Sequence, residues 1–140
     1  MSYLLDTCVL SELVKPRPNA GLVTWIEGHE EVRFYLSVLS LGELTKGIAR
    51  LPAGAKKTRL QAWLEQDLAQ RFSGRVLPID QAVAARWGEL QARAEKRGRP
   101  MPVIDGLIAA TAAVHSLAII TRNTDDLAQS GVETLDPWTT

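Results

Sequence analysis

Three features of the sequence predict an α/β fold: a mostly parallel sheet with helices on both faces, in three layers. Short apolar runs of strand length alternate along the chain with longer segments whose apolar residues recur every three or four positions. Such alternation implies right-handed crossovers and parallel strands. The first run, Tyr3-Leu4-Leu5, ends at Asp6-Thr7, where a helical pattern begins at once. A carboxylate is therefore expected at the carboxyl end of the first strand, the edge where open parallel sheets bind ligands. At 140 residues the chain is long enough for one domain over 1–140 with a sizeable core.

The elements follow in order. Val9, Leu10, Leu13 and Val14 mark a helix that stops at Pro16. Asn19 caps a second helix carrying Leu22, Val23, Trp25 and Ile26, ended by Gly28. Val32 to Leu36, β-branched and aromatic, predicts a second strand. Ser37 and Ser40 offer caps for a helix with Leu41, Leu44, Ile48 and Leu51 on one face and Glu43 in its first turn. A helix from about Lys56 to Phe72 carries the stripe Leu60, Leu64, Leu68, Phe72, and Val76 to Ile79 makes a third strand. Asp80 caps a helix with Val83, Trp87, Leu90 and Ala94 inward, ending at Gly98. After the loop at Pro100 and Pro102, the segment 103–113 is apolar nearly all round, which predicts a central, buried helix. Leu117 to Ile120 is a fourth strand running into Thr121-Arg122-Asn123; a helical turn from Thr124 to Gln129 and a strand near Val132 to Leu135 complete the chain before Pro137-Trp138.

Composition narrows the function classes. Formal net charge is zero, against a general electrostatic binder of nucleic acid or membrane. The single cysteine, Cys8, forms no internal disulfide, and no stretch approaches the length of a membrane span or follows a signal-peptide pattern. A cytoplasmic protein with no membrane partner is expected. Basic residues gather at Lys46/Arg50, Lys56/Lys57/Arg59, Arg71/Arg75 and Lys96/Arg97/Arg99. These read as solvated helix faces, or for one or two of them as a track for a nucleic-acid backbone. His29 and His115 have no ligand-like neighbours, and the four tryptophans read as core or dimer contacts.

The chemistry sits in the acids. Asp6 ends the first strand, Glu43 opens the helix after the second, and Asp105 opens the apolar helix. In a parallel sheet the three can meet at the carboxyl edge, where their mutual repulsion raises their pKa values or recruits a cation. Oxygen ligands without histidine or thiolate suit Mg²⁺ or Mn²⁺, and such a site points to phosphoryl chemistry with a metal-activated water. Each acid alone also has a plain structural reading: Asp6 and Asp105 as helix N-caps, and Ser40 to Glu43 as a capping box. Asn123 could bond a metal-bound water, Asp125 or Asp126 could add an outer carboxylate, and the Thr7 and Thr121 hydroxyls could orient the acids; all five fit ordinary turn residues equally well.

Taken in order, Leu-Leu-Asp6-Thr-Cys-Val-Leu-Ser-Glu12, Glu43, Asp105-Gly-Leu-Ile-Ala-Ala-Thr111 and Ile-Ile-Thr121-Arg-Asn123 resemble the PIN-domain family, and more narrowly its VapC toxins and FitB proteins. The resemblance covers essentially the whole chain. It implies an α/β/α PIN fold and a Mg²⁺- or Mn²⁺-dependent endoribonuclease, the toxin of a type II pair blocked by a VapB- or FitA-like antitoxin. It also implies an RNA substrate, a homodimer, and DNA contact only through the antitoxin. The family's acidic positions fall on Asp6, Glu43 and Asp105 as metal and catalytic residues. Two positions depart from the pattern. Cys8 stands where asparagine is usual, and the fourth acidic position is Asn123, whose amide supplies no charge.

Three rivals remain at this stage. A different Mg²⁺ phosphohydrolase of the haloacid-dehalogenase type would want an aspartate at position 8. A receiver-like signalling module would want an acidic pair at the first strand and a lysine after a late one, and the chain has neither. A PIN-like protein that lost catalysis through Asn123 and acts only by binding an antitoxin would share every motif above.

Overall fold

The computed structural model describes residues 1–139; residue 140, the end of the expected domain, lies outside them. Five strands form one sheet in the order β3-β2-β1-β4-β5, and every neighbouring pair is parallel. They are β1 (Tyr3–Leu5), β2 (Phe34–Ser37), β3 (Val76–Leu77), β4 (Ala118–Ile120) and β5 (Thr134–Leu135). The helices are α1 (Thr7–Leu13), α2 (Ala20–Glu27), α3 (Val38–Ala49), α4 (Ala55–Ala62), α5 (Ala69–Arg71), α6 (Gln81–Lys96), α7 (Val103–Val114) and α8 (Thr124–Leu127). The expected α/β/α fold with a parallel sheet is thus the observed one.

Alternation along the strands builds two cores. Tyr3, Leu5, Phe34, Leu36, Ala118 and Ile120 face one side and pack with α1, α2 and α3 through Val9, Leu10, Leu22, Ile26 and Leu44. Leu4 and Ile119 face the other side and pack with α6, α7 and α8 through Val83, Leu90, Ile108, Ala112 and Leu127. Trp25, Trp63 and Trp138 pack against the first core and Trp87 against the second, as expected of structural tryptophans. Among the described residues no helix is long and apolar enough to cross a membrane.

Several boundaries differ from the sequence expectation. Val32 and Arg33 lie in a 3-10 turn (Glu31–Arg33), not in β2. Arg75 donates to the Glu31 and Phe34 carbonyls and pins that turn, so tertiary contacts override local β-propensity. The helix of 55–71 widens to π geometry over Trp63–Leu68. β3 stops at Leu77, short of Ile79. Ser37, not Ser40, caps α3, accepting from the Leu39 N–H. Glu43 therefore sits in the second turn, and the Ser40–Glu43 capping box does not form.

The α6–α7 pair sets where Asp105 lies. Gln91 bonds the Met101 backbone in both directions, Nε2 to O at 3.0 Å and N to Oε1 at 3.1 Å, and so fixes the loop that enters α7. The Trp87 indole lies against Gly106, where an added Cβ would stand 3.0 Å from both Cδ1 and Nε1. Gly106→Ala should gain about 1 kcal/mol of helix propensity and lose about 1–3 kcal/mol to overpacking, a net destabilisation. Gly88→Ala in α6 meets nothing within 4 Å and should gain up to about 1 kcal/mol. Opposite signs in urea unfolding are the expected result; a stabilised Gly106→Ala would show that Trp87 yields freely.

Candidate active site

The strand order reverses between β1 and β4, since β2 and β3 lie on one side and β5 on the other. This is the switch point at which open α/β sheets leave a crevice beyond the strand carboxyl ends. Asp6 follows β1 and its N–H still bonds the Ile120 carbonyl at 3.0 Å. Thr121 to Asn123 follow β4. Because α7 runs back to feed β4, its N-terminus and Asp105 lie at the same edge, and α3 brings Glu43 there from β2. The result is a polar cleft of about 380 Å³ lined by Asp6, Thr7, Cys8, Ser11, Glu12, Lys15, Glu43, Asp105, Arg122 and Asn123. The sequence-predicted Asp6, Glu43, Asp105, Asn123 and Thr7 all line it. Asp125 and Asp126 do not; they are exposed in the first turn of α8.

Asp6 is buried, with 5% of its surface exposed. It does cap α1, accepting from the Thr7 N–H at 2.8 Å, and its other oxygen accepts from the Thr121 hydroxyl at 2.8 Å. The capping and functional readings are therefore both met by one side chain. Thr121 also accepts from the Asn123 N–H at 2.9 Å, which ties the loop after β4 to Asp6. The Cys8 sulfur lies 3.9 Å from Asp6 Oδ2 and 3.7 Å from Thr121 Oγ1, so a weakly bonding thiol occupies the space beside the aspartate.

Thr7 Oγ1 lies 2.6 Å from Glu43 Oε1 and 2.9 Å from Ser40 Oγ. An ionised carboxylate only accepts, so the Thr7 proton serves Glu43 and the buried Ser40 hydroxyl turns to Thr7. Glu43 is oriented through this pair. Thr7→Val keeps the shape but removes the link and leaves Ser40 without its partner. It should cost about 1–3 kcal/mol in urea unfolding and lower turnover roughly tenfold or more, as loss of an orienting bond does. Unchanged turnover would show that Glu43 needs no such support.

Electrostatics point the same way. Burial raises the Asp6 pKa, opposed by the Thr121 and Thr7 hydrogen bonds and reinforced by the Glu43 charge. Asp105 is pushed up to about 6, first by burial and then by Asp6, Asp126 and Glu43. Its carboxylate is no helix cap: Pro102 holds the cap position of α7 and no side chain caps the helix. Asp126 thus acts on the site through its charge alone. Burial, then the Asp6 charge, raises the Cys8 thiol, which keeps it protonated.

Sequence reasoning missed Ser11, Glu12, Lys15 and Arg122. Glu12 is buried, accepts from the Asn19 N–H and from Lys15 Nζ at 3.0 Å each, and is held below the usual carboxylate range foremost by Lys15. The signal was present: Cys8, Ser11 and Glu12 on α1 and Lys15 just past its end recur at three- and four-residue spacing, a polar stripe continuing from Asp6. Of the basic clusters, Arg71 and Arg75 are tied to Glu31 and Lys57 to the Ala49 and Leu51 carbonyls, all structural roles. His29 bonds the Trp25 carbonyl and stacks on its ring.

The donor set fits a hard divalent cation: it is oxygen-rich, and burial, with charge repulsion behind it, raises two of its carboxyls. Among the described residues no three acidic, histidine or cysteine side chains form a ready-made metal cage. Mg²⁺ needs no such cage, since it takes one or two carboxylates and keeps several waters.

Comparison with known proteins now bears on this geometry. The PIN domain model matches residues 3–131. The chain belongs to the PIN-domain family. It is 40% identical to Toxin FitB of Neisseria gonorrhoeae over 135 residues, covering 96% of this chain and 97% of that protein. It is 36% identical to VapC ribonuclease Y4jK of Sinorhizobium fredii, covering 96% of each. The crystal structure of FitAcB from N. gonorrhoeae superposes on this PIN domain with a TM-score of 0.93 at 39% identity, covering 99% of both chains. The FitB and VapC branch named by the motifs is the branch these relatives occupy.

Proposed function

We propose that this PIN-domain protein is the toxin of a toxin–antitoxin pair and acts as a Mg²⁺- or Mn²⁺-dependent endoribonuclease. The observation that carries the reading is the coupling of Asp6, Glu43 and Asp105 across one cleft at the switch point of the sheet, with Asp105 pushed up to about 6. The relatives named as a toxin and a ribonuclease supply the substrate class.

Asp6 and Asp105 would hold the cation, with Glu43 assisting directly or through water. When bound, such an ion polarises a phosphoryl oxygen and acidifies an attacking water. The chain's own residues do the rest. Thr121 and the Thr7 N–H fix the Asp6 carboxylate, Thr7 aims Glu43 into the cleft, and Asn123 offers an uncharged amide where it can orient water.

Asn123 also favours a second reading, a catalytically weak PIN protein that works by binding its partner. Both readings need an antitoxin, in keeping with solved neighbours that are toxin–antitoxin complexes. An apolar groove of about 330 Å³ between α1, α3 and α4 offers it a seat. Val14, Leu44, Ile48, Leu51, Leu60 and Trp63 line that groove, which shares Ser11, Lys15 and Glu43 with the cleft. A homodimer is part of the proposal, with exposed Val38, Val103 and Ile104 at the starts of α3 and α7 as its apolar contact; sedimentation velocity reads the stoichiometry. The deciding experiment incubates partner-free protein with several RNA pools in Mg²⁺, in Mn²⁺ and in chelator. Cuts that need the metal establish the nuclease. Their absence in every pool favours the partner-binding reading.

A further inference from the structure

Lys15 and Arg122 are the two cations among the residues that line the cleft. Lys15 is engaged: its ammonium lies 3.0 Å from Glu12 Oε1. Arg122 is exposed, and among the described residues it forms no ion pair. It is nonetheless held in place. Thr121 before it and Asn123 after it are both tied to Asp6, by the 2.8 Å and 2.9 Å bonds of the Thr121 hydroxyl. Its guanidinium carbon sits 5.3 Å over the Trp138 ring. Trp138 is anchored in turn, packed on the first core with its backbone N–H bonded to Asp136.

A guanidinium stacked on an aromatic face keeps its in-plane donors free, and those donors match phosphate oxygens in pairs. A polyanion entering this cleft meets the charges of Asp6, Glu12, Glu43 and Asp105. A cation between Asp6 and Asp105 offsets part of that repulsion only at the reacting phosphate. The neighbouring phosphate needs its own counter-charge. We propose that Arg122 grips a backbone phosphate of the RNA flanking the cleft, and that Trp138 is the positioning residue that presents it. This rests on the reading of the cleft as an RNA site. The grip is sequence-independent, because phosphates carry no base information.

Two measurements test it. In the first, binding of a fluorescein-labelled single-stranded RNA to the Asp6→Asn protein in Mg²⁺ is titrated against NaCl, with and without Arg122→Ala. Loss of one phosphate contact should flatten the slope of log K against log salt by about 0.7. In the second, cleavage kinetics of otherwise wild-type protein should show KM raised about tenfold by Arg122→Ala, the scale of a lost charged hydrogen bond, with kcat far less affected and partial recovery in Arg122→Lys. Trp138→Ala should raise KM in the same way and Trp138→Phe restore it, read beside thermal unfolding so that loss of packing is seen separately. Cleavage with unchanged KM and salt slope in Arg122→Ala overturns the grip and leaves the nuclease reading standing. An Arg122-dependent salt slope without any cleavage sustains the grip and removes the nuclease reading. No RNA binding by any variant overturns both. KM raised by Arg122→Ala but not by Trp138→Ala overturns the role of Trp138.

Discussion

Asp6→Asn is expected to remove RNA cleavage by about a thousandfold or more while making the metal-free protein more stable. The two effects have one cause. Asp6 is buried with its carboxyl raised above the ordinary range, foremost by desolvation. A group whose folded pKa is raised contributes stability that is present below its unfolded pKa and lost as pH rises through the folded value. Once ionised, Asp6 therefore weakens the fold. Asparagine has the shape of the neutral acid, retains an oxygen for the Thr7 N–H, and faces Thr121 with an amide that the threonine hydroxyl can accept from. Under the proposed function the same change removes an anionic ligand, and loss of metal-assisted charge stabilisation would be worth several kcal/mol, or about three powers of ten in rate.

Cleavage assays in Mg²⁺ and thermal unfolding in chelator read the two effects on the same preparations. Loss of cleavage together with loss of stability would mean that Asp6 is principally a helix cap. Cleavage equal to wild type would remove Asp6 from the site.

How much of this was legible in the sequence depends on how local each signal is. Tyr3-Leu4-Leu5 followed by Asp6 and a helix pattern could be read directly, because β1 is buried on both faces and Asp6 does cap α1. The caps Asn19 and Asp80 were equally local. Strand order was not legible. Nothing near residues 118–120 says that β4 lies beside β1, yet that pairing creates the crevice and brings Thr121 to Asp6. Glu43 was placed one turn early because Ser37 and Ser40 are equal caps by residue type. The Ser37 hydroxyl on the Leu39 N–H shows that Ser40 is already inside the helix. Glu12 was passed over because an acid next to Ser11 on a helix reads as a solvated face, and its burial depends on the loop that places the Asn19 N–H against it. Asp6, Glu43 and Asp105, and Thr7 and Thr121 as groups that could orient them, could thus be named from sequence, whereas which acid each threonine holds needed the fold.

The second large effect is a pH dependence that a divalent cation should erase. Asp105 is pushed up to about 6 from an ordinary value of 3.8, by burial and then by Asp6, Asp126 and Glu43. With the folded pKa raised, its contribution is fully present below pH 3.8 and is lost as pH rises through about 6. In chelator the protein should therefore lose stability as pH rises from 3.8 to about 6. The unscreened conversion would be about 3 kcal/mol. Asp105 is only half-buried, so screening reduces this to about 1 kcal/mol, a few degrees in Tm for a chain of this size. Glu12 works in the opposite direction, its lowered carboxyl adding stability as pH rises at the acidic end of this range. Asp105→Asn should flatten the slope and leave the share that Asp6 carries, and the difference between variant and wild type reads the part that Asp105 contributes. Saturating Mg²⁺ or Mn²⁺ should do the same for wild type by supplying the opposite charge, and should add stability that grows with the logarithm of its concentration. The metal should leave Asp105→Asn much less stabilised. A wild-type slope that persists unchanged in saturating Mg²⁺ and Mn²⁺ would place the cation elsewhere and break the link between the raised carboxyl and metal binding. A slope shared equally by Asp105→Asn would assign it to other groups.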